Sequence, residues 1–217
     1  MHTQTADFQK DSFINELQER LLRPLPGREA QYKMASLRRL VELENYAPPN
    51  NPKIACVLNL LHWQDGEWRT VLIERTANPN DRHSGQISFP GGKYEERDGA
   101  LENVALRETE EEVGVPRSRV RILGRLTELY IPVSNFLVHP FIGLLESEAD
   151  FRLQAGEVEG VLTPALSVFS QGFVKKQADL TLPNGLMLKD VPYFDVEGRM
   201  VWGATAMILS EFLEILR

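Results

Sequence analysis

Apolar positions recur along this chain in two rhythms. From about residue 8 to 22 they fall at helical spacing, with Ile14, Leu17, Leu21 and Leu22 on one side. Pro24, Pro26 and Gly27 break that pattern. A second helix is predicted over 29–44, with Met34, Leu37, Leu40 and Val41 on one face. Ala47-Pro-Pro-Asn-Asn-Pro52 reads as a stiff linker, which divides the chain into a helical arm (1–51) and a main domain (52–217). Beyond it the rhythm shortens. Residues 54–61 form a continuous apolar run of strand length, as expected of a strand buried on both faces. Asp65-Gly66 marks a turn, 70–75 the returning strand, and 86–89 a short strand ending at Pro90-Gly91-Gly92. A helix over 100–113 follows, then strand material at 120–123, 137–145 and 160–162. Residues 167–188 suggest a hairpin or irregular insertion, and 204–216 an amphipathic terminal helix. Strands and helices interleave without a regular βαβ cadence. That favours an α/β/α sandwich built on a mixed sheet over a doubly wound parallel one.

Composition narrows the picture only slightly. Hydrophobic residues make up 42% and charged residues 25% of 217, an ordinary globular balance. No apolar run has the length needed to cross a bilayer, and the polar first ten residues lack a signal-peptide core. The expectation is a soluble cytoplasmic protein with no membrane partner. A net charge of −7 leaves no basic surplus for a nucleic-acid backbone, so no nucleic-acid partner is expected either. It still permits a small polyphosphate substrate, gripped by local arginines and metal. Cys56 is the single cysteine. That excludes an intrachain disulfide, and its apolar setting reads as a buried structural thiol.

The chemistry concentrates in 91–115. Asp98 suits an N-cap for a helix starting near Gly99, Glu102 sits in the favourable first turn, and Gly114 fits the position that ends the helix. Leu101, Val104, Ala105 and Leu106 supply the face that packs on the sheet. At the far end, Glu108, Glu111 and Glu112 lie at i, i+3 and i+4 and share a face. Like charges so placed repel one another at the negative end of the helix dipole. A hard divalent cation resolves the conflict, because magnesium takes oxygen ligands and keeps waters and substrate phosphates around it. Adjacent Arg107 can hold one carboxylate in a bidentate contact.

The order Gly-Gly turn, capped helix, Arg-Glu, Glu-Glu and terminal Gly resembles the Nudix box, Gly-x5-Glu-x7-Arg-Glu-U-x-Glu-Glu-x-Gly-U with U apolar. Gly92, Arg107-Glu108, Glu111-Glu112, Gly114 and Val115 match it. Asp98 takes the early acidic position, separated from Arg107 by eight residues rather than seven, and Thr109 stands where an apolar residue is usual. The longer box, Gly85 and Phe89-Pro-Gly-Gly92 resemble the coenzyme A pyrophosphatase branch. So do Val71-Leu-Ile-Glu-Arg75-Thr76 upstream and Trp202-Gly-Ala-Thr-Ala206 downstream. The branch's second upstream arginine is replaced by Asp81, with Arg82 next to it.

The resemblance implies a Nudix-type α/β/α sandwich and a metal-dependent pyrophosphohydrolase. Its implied substrate is coenzyme A or an acyl-coenzyme A, and ADP-ribose or a dinucleotide polyphosphate is the alternative; a non-catalytic binding module would have lost box residues that this chain keeps. The implied cofactor is magnesium (Mg2+), with manganese (Mn2+) able to replace it. Glu108, Glu111, Glu112 and the carbonyl of Gly91 are the expected metal ligands. Glu108, Glu111 and Arg107 are the expected catalytic residues, with Glu157 from a later loop as an outside candidate for the general base. Arg75, Arg82 and Lys93 are the candidates to grip phosphate. Among other residues, His62 reads as a turn residue, His139 as structural, and the apolar faces of the arm suit a homodimer.

Overall fold

The computed structural model describes residues 2–45, 50–77, 85–182 and 185–217. At its centre β1 (Lys53–Gln64) runs parallel to β8 (Phe136–Leu145). β1 is flanked by β2 (Glu67–Thr70) and β5 (Gly91–Lys93), and β8 by β6 (Val120–Arg125) and β7 (Leu129–Ile131), all antiparallel. The sheet is therefore mixed, as expected. A second sheet joins β4 (Ile87–Ser88), β3 (Leu72–Arg75) and β9 (Val158–Leu162). A third comprises β10 (Lys175–Thr181), β11 (Met187–Val196) and β12 (Arg199–Trp202), so the 167–188 stretch is short 3₁₀ turns leading into a hairpin.

Successive side chains of a strand point to opposite faces, and β1 uses both. Cys56, Leu58 and Leu60 join Val104, Ala105 and Val113 of α4 (Leu101–Val113) in one core. Leu61, with Ala55 and Val57 partly buried beside it, faces the other core under α5 (Gly203–Ile215). This is why the run 54–61 shows no alternation. Asp65 and Gly66, at φ 53° and 82°, form the predicted tight turn. The returning segment is split at Val71, where the chain leaves the first sheet for the second.

Expectations for the helices change in two places. The arm holds α1 (His2–Leu21), but the predicted second helix is two, α2 (Gly27–Tyr32) and α3 (Leu37–Asn45). And α5 is not amphipathic in its setting: Ala206 through Phe212 are all buried, because α2 packs on its outer side while the sheets take the inner one. Leu17, Met34 and Ala35 of the arm thus belong to the same core as Phe194, Leu209 and Phe212.

Glu211, fully buried on α5, ties this layer together. Its carboxylate accepts from Gly27 N (3.1 Å), Gln31 Nε2 (2.9 Å), Thr127 N (3.3 Å) and Thr127 Oγ1 (2.6 Å). A buried charge is tolerated when hydrogen bonds replace its lost hydration. Arg20 adds a tie from Nη1 to the Ile215 carbonyl, 2.6 Å away.

His62 is a strand residue of β1 rather than a turn residue. It is buried edge-on to Phe151, and neither ring nitrogen has a partner among the described residues. Burial, helped by nearby Arg69, pushes its pKa down to about 4.

Two measurements follow from these buried groups. Glu211→Ala removes the acceptor of four hydrogen bonds and should cost roughly 3 kcal/mol or more in urea unfolding. The loss should appear as faster amide exchange throughout the arm. His62 binds a proton more readily unfolded than folded, so its contribution to stability is full above pH 6.5 and drains away as pH falls toward 4. Between those limits the loss is about 3 kcal/mol, and His62→Leu should flatten that part of the pH–stability curve.

Candidate active site

The site grows from the seam between β5 and α4. β5 pairs with β1 so closely that a Cβ on Gly91 would stand 2.3 Å from the Cys56 carbonyl oxygen. Beside it, a Cβ on Gly92 would fall 2.4 Å from the carboxyl carbon of Glu108. Both glycines are needed for the helix and its carboxylates to lie on the strand.

The chain then crosses a 3₁₀ turn (Glu96–Asp98) and enters α4 with Ala100, not Asp98, at the N-cap. Asp98 is instead the partner of Arg107. Arg107 Nε donates to Asp98 Oδ1 at 2.7 Å and Nη2 to Oδ2 at 3.1 Å, and both side chains are buried. Glu95 N donates to Asp98 Oδ2, closing the turn. The guanidinium beside it holds the Asp98 carboxyl below its ordinary range, and Asp98 with Glu108 fixes Arg107 in its charged form. The sequence carried a signal for this pair, since Arg107 was expected to hold one carboxylate in a bidentate contact, but helix capping was the competing reading of Asp98.

Arg107 has donors left over. Nη1 reaches Glu108 Oε1 at 2.8 Å and Glu111 Oε2 at 3.1 Å, and Nη2 reaches the Lys93 carbonyl at 3.2 Å. All five N–H directions of the guanidinium are thereby used. The three box glutamates fan across one face, with side chains 45% exposed at Glu111, 16% at Glu108 and 2% at Glu112. Glu112 points inward, accepting from Gly91 N at 2.9 Å and from Arg75 Nη1 at 3.4 Å. Burial drives its pKa up to about 7, against the pull of those two donors. Burial also raises Glu108, and the charge of Glu157 pushes both glutamates in the same direction.

Thr109, the other departure from the box, is buried and donates its hydroxyl to the Ala105 carbonyl at 2.7 Å. With the hydroxyl satisfied within the helix, its methyl packs like the apolar residue it replaces. Gly114, at φ 72°, ends α4 as expected, and a Cβ there would meet the Arg152 backbone oxygen at 2.8 Å.

Of the phosphate-gripping candidates, Arg75 is brought to the acidic face. Lys93 reaches the site through its carbonyl while its side chain is exposed, and Arg82 lies outside the described residues together with Asp81 and His83. Cys56 is fully buried, its thiol pushed up to about 12, and takes no part. Among the described residues, no three His, Cys, Asp or Glu side chains are already closed into a metal cage.

Residues 51–179 match the family model of the NUDIX domain. The chain belongs to the Nudix family. It is similar to the protein described as an uncharacterized Nudix hydrolase, NudL, of Yersinia enterocolitica, with 34% identity over 145 residues that cover 67% of this chain and 73% of that one. The NudL of Yersinia pestis is 35% identical over 149 residues, 67% of this chain and 71% of its own. Among solved structures, a MutT/nudix family protein from Enterococcus faecalis superposes with a TM-score of 0.50. That match covers 84% of this chain and 71% of the other at 16% identity, a likeness of fold. The Nudix fold expected from the box is therefore present, and the protein is a Nudix pyrophosphohydrolase. Enzymes of this family act on small nucleotide substrates and generally need divalent metal ions. No helix among the described residues is long and apolar enough to cross a membrane.

The steric account of the β5–α4 seam is directly testable. Gly92→Ala puts a methyl group where the Glu108 carboxylate stands, and displacements near 1 Å cost on the order of 10²-fold in rate. Turnover should fall by about that factor while the thermal midpoint stays near wild type.

Proposed function

We propose that this Nudix hydrolase cleaves coenzyme A or an acyl-coenzyme A to 3′,5′-ADP and (acyl-)phosphopantetheine. The observation that carries the reading is the placement of Arg75. It is the matching arginine of the upstream stretch that resembles the coenzyme A branch, and its guanidinium stands 3.4 Å from Glu112 on the acidic face. A second observation adds support. Thr205, within Trp202-Gly-Ala-Thr-Ala206, donates to the Ile87 carbonyl at 3.1 Å. The downstream stretch resembling that branch is thus joined to the strand that leads into Phe89-Pro-Gly-Gly92.

The donor set fits a hard divalent cation. Every candidate ligand is an oxygen, and burial disfavours the charged forms of Glu108 and Glu112, a cost that a bound cation would offset. Glu108 and Glu112, with Glu111 and the Gly91 carbonyl, would hold magnesium or manganese, which when bound neutralises charge on the phosphoanhydride oxygens. Arg107 keeps Glu108 and Glu111 on the working face, Arg75 meets the substrate's phosphate oxygens, and Lys93 is an exposed cation at the rim. We assign Glu157 as the general base: it takes a proton from the attacking water as the new P–O bond forms and the bridging P–O bond breaks. Asp81 standing in the place of the branch's second arginine favours ADP-ribose or a dinucleotide polyphosphate as the second reading.

Coenzyme A, acetyl-coenzyme A, ADP-ribose, NADH and diadenosine polyphosphates, each incubated with magnesium and read by mass spectrometry, separate the two. Highest kcat/KM on a coenzyme A species, with 3′,5′-ADP among the products, is the expected result, and preference for any other member of the panel overturns the substrate assignment. Glu112→Gln should lower kcat by 10²-fold or more with the fold intact; full activity with magnesium would sink the assignment of this face.

A further inference from the structure

Glu157 comes from a loop, and an exposed loop does not by itself hold a carboxylate over a reaction centre. The stretch 150–157 is tied down at both ends of its path. Arg152 N donates to the Val113 carbonyl at 2.9 Å and Gln154 N to the Glu112 carbonyl at 3.0 Å, so the loop satisfies carbonyls that the end of α4 leaves open. Its close approach there depends on Gly114. The loop then turns tightly through Gly156, at φ 94°. Glu157 N and Val158 N both donate to the Gln154 carbonyl, each at 3.2 Å. From the far side, Thr76 N donates to the Glu157 carbonyl at 3.0 Å and Thr76 Oγ1 to the Gly156 carbonyl at 2.7 Å. Val158 is the strand partner of Arg75, so Glu157 sits one residue from the position that faces the arginine contacting Glu112. With its backbone fixed, the Glu157 side chain has one further hydrogen bond among the described residues: Gln154 Nε2 donates to Glu157 Oε1 at 3.2 Å.

We propose that Gln154 is a positioning residue for Glu157. Its main chain measures the loop off against the carbonyl of Glu112, and its side-chain amide aims the Glu157 carboxylate toward the water that attacks phosphorus. One residue thereby couples the end of the box helix to the base. The amide is suited to this because it donates to a carboxylate without neutralising its charge. The role rests on the assignment of Glu157 above but not on the choice of coenzyme A as substrate.

The test uses the full chain with magnesium, assayed in parallel on coenzyme A, ADP-ribose and diadenosine tetraphosphate. Loss of one hydrogen bond to a charged group corresponds to a rate effect of roughly tenfold. Gln154→Ala should therefore lower kcat about tenfold on the substrate turned over, with KM and the thermal midpoint unchanged. Gln154→Glu, which sets a like charge against Glu157, should lower it further. In a Glu157→Gln background the Gln154→Ala change should have no additional effect, which a merely structural role would not produce. Wild-type kcat in Gln154→Ala beside an impaired Glu157→Gln overturns the positioning role alone, as does a full additional loss in the double variant. Undiminished turnover in Glu157→Gln overturns the base assignment and the positioning role together.

Discussion

One buried guanidinium organises the acidic face. Arg107 spends its five donor directions on three carboxylates and a backbone carbonyl. Taking such a charge out of water is costly, and a buried ion pair is a poor device for stability alone. What the arrangement supplies is geometry. The fork with Asp98 fixes the turn before α4, and the remaining donors set Glu108 and Glu111 at the outer edge of the same face. Glu112 is left off this arginine, deeper in, with a backbone N–H and a longer contact to Arg75. The acidic face is thereby divided between two arginines, with Glu108 and Glu111 on Arg107 and Glu112 on the longer contact to Arg75, and its surplus of negative charge is what would draw a cation.

Close backbone approach makes this division possible. Gly91 lets β5 lie against β1, Gly92 leaves room for the Glu108 carboxylate, and Gly114 lets the loop carrying Glu157 dock on the end of α4. Each occupies a place where a methyl group would collide with something the site uses. Glycine here is a matter of volume alone at Gly92, and of volume together with a positive φ at Gly91 and Gly114.

Much of the site was legible in the sequence because its spacing is dictated by a helix. Glu108, Glu111 and Glu112 had to share a face, and Gly114 had to end the helix, whatever the rest of the chain did. The long run 54–61 was legible for the same reason, since a strand covered on both sides has no polar beat. What escaped was decided by partners far away in the chain. Asp98 had the local chemistry of a cap, but a buried arginine nine residues on competed for it and won. The split at Val71 and the break between α2 and α3 reflect which sheet or layer each piece joins. The apolar side of α5 predicted a surface helix, and the arm that buries its other side lies almost two hundred residues upstream.

That last separation bears on how the molecule comes into being. The contacts of Gln31 and Gly27 with Glu211 span 180 and 184 residues, and that of Arg20 with Ile215 spans 195. Loops of this size carry a heavy closure entropy, and contacts so distant in sequence form slowly. The arm is therefore synthesised well before the helix it packs against. Leu17 and Met34 cannot find their places in this core until α5, with Leu209 and Phe212, has been made.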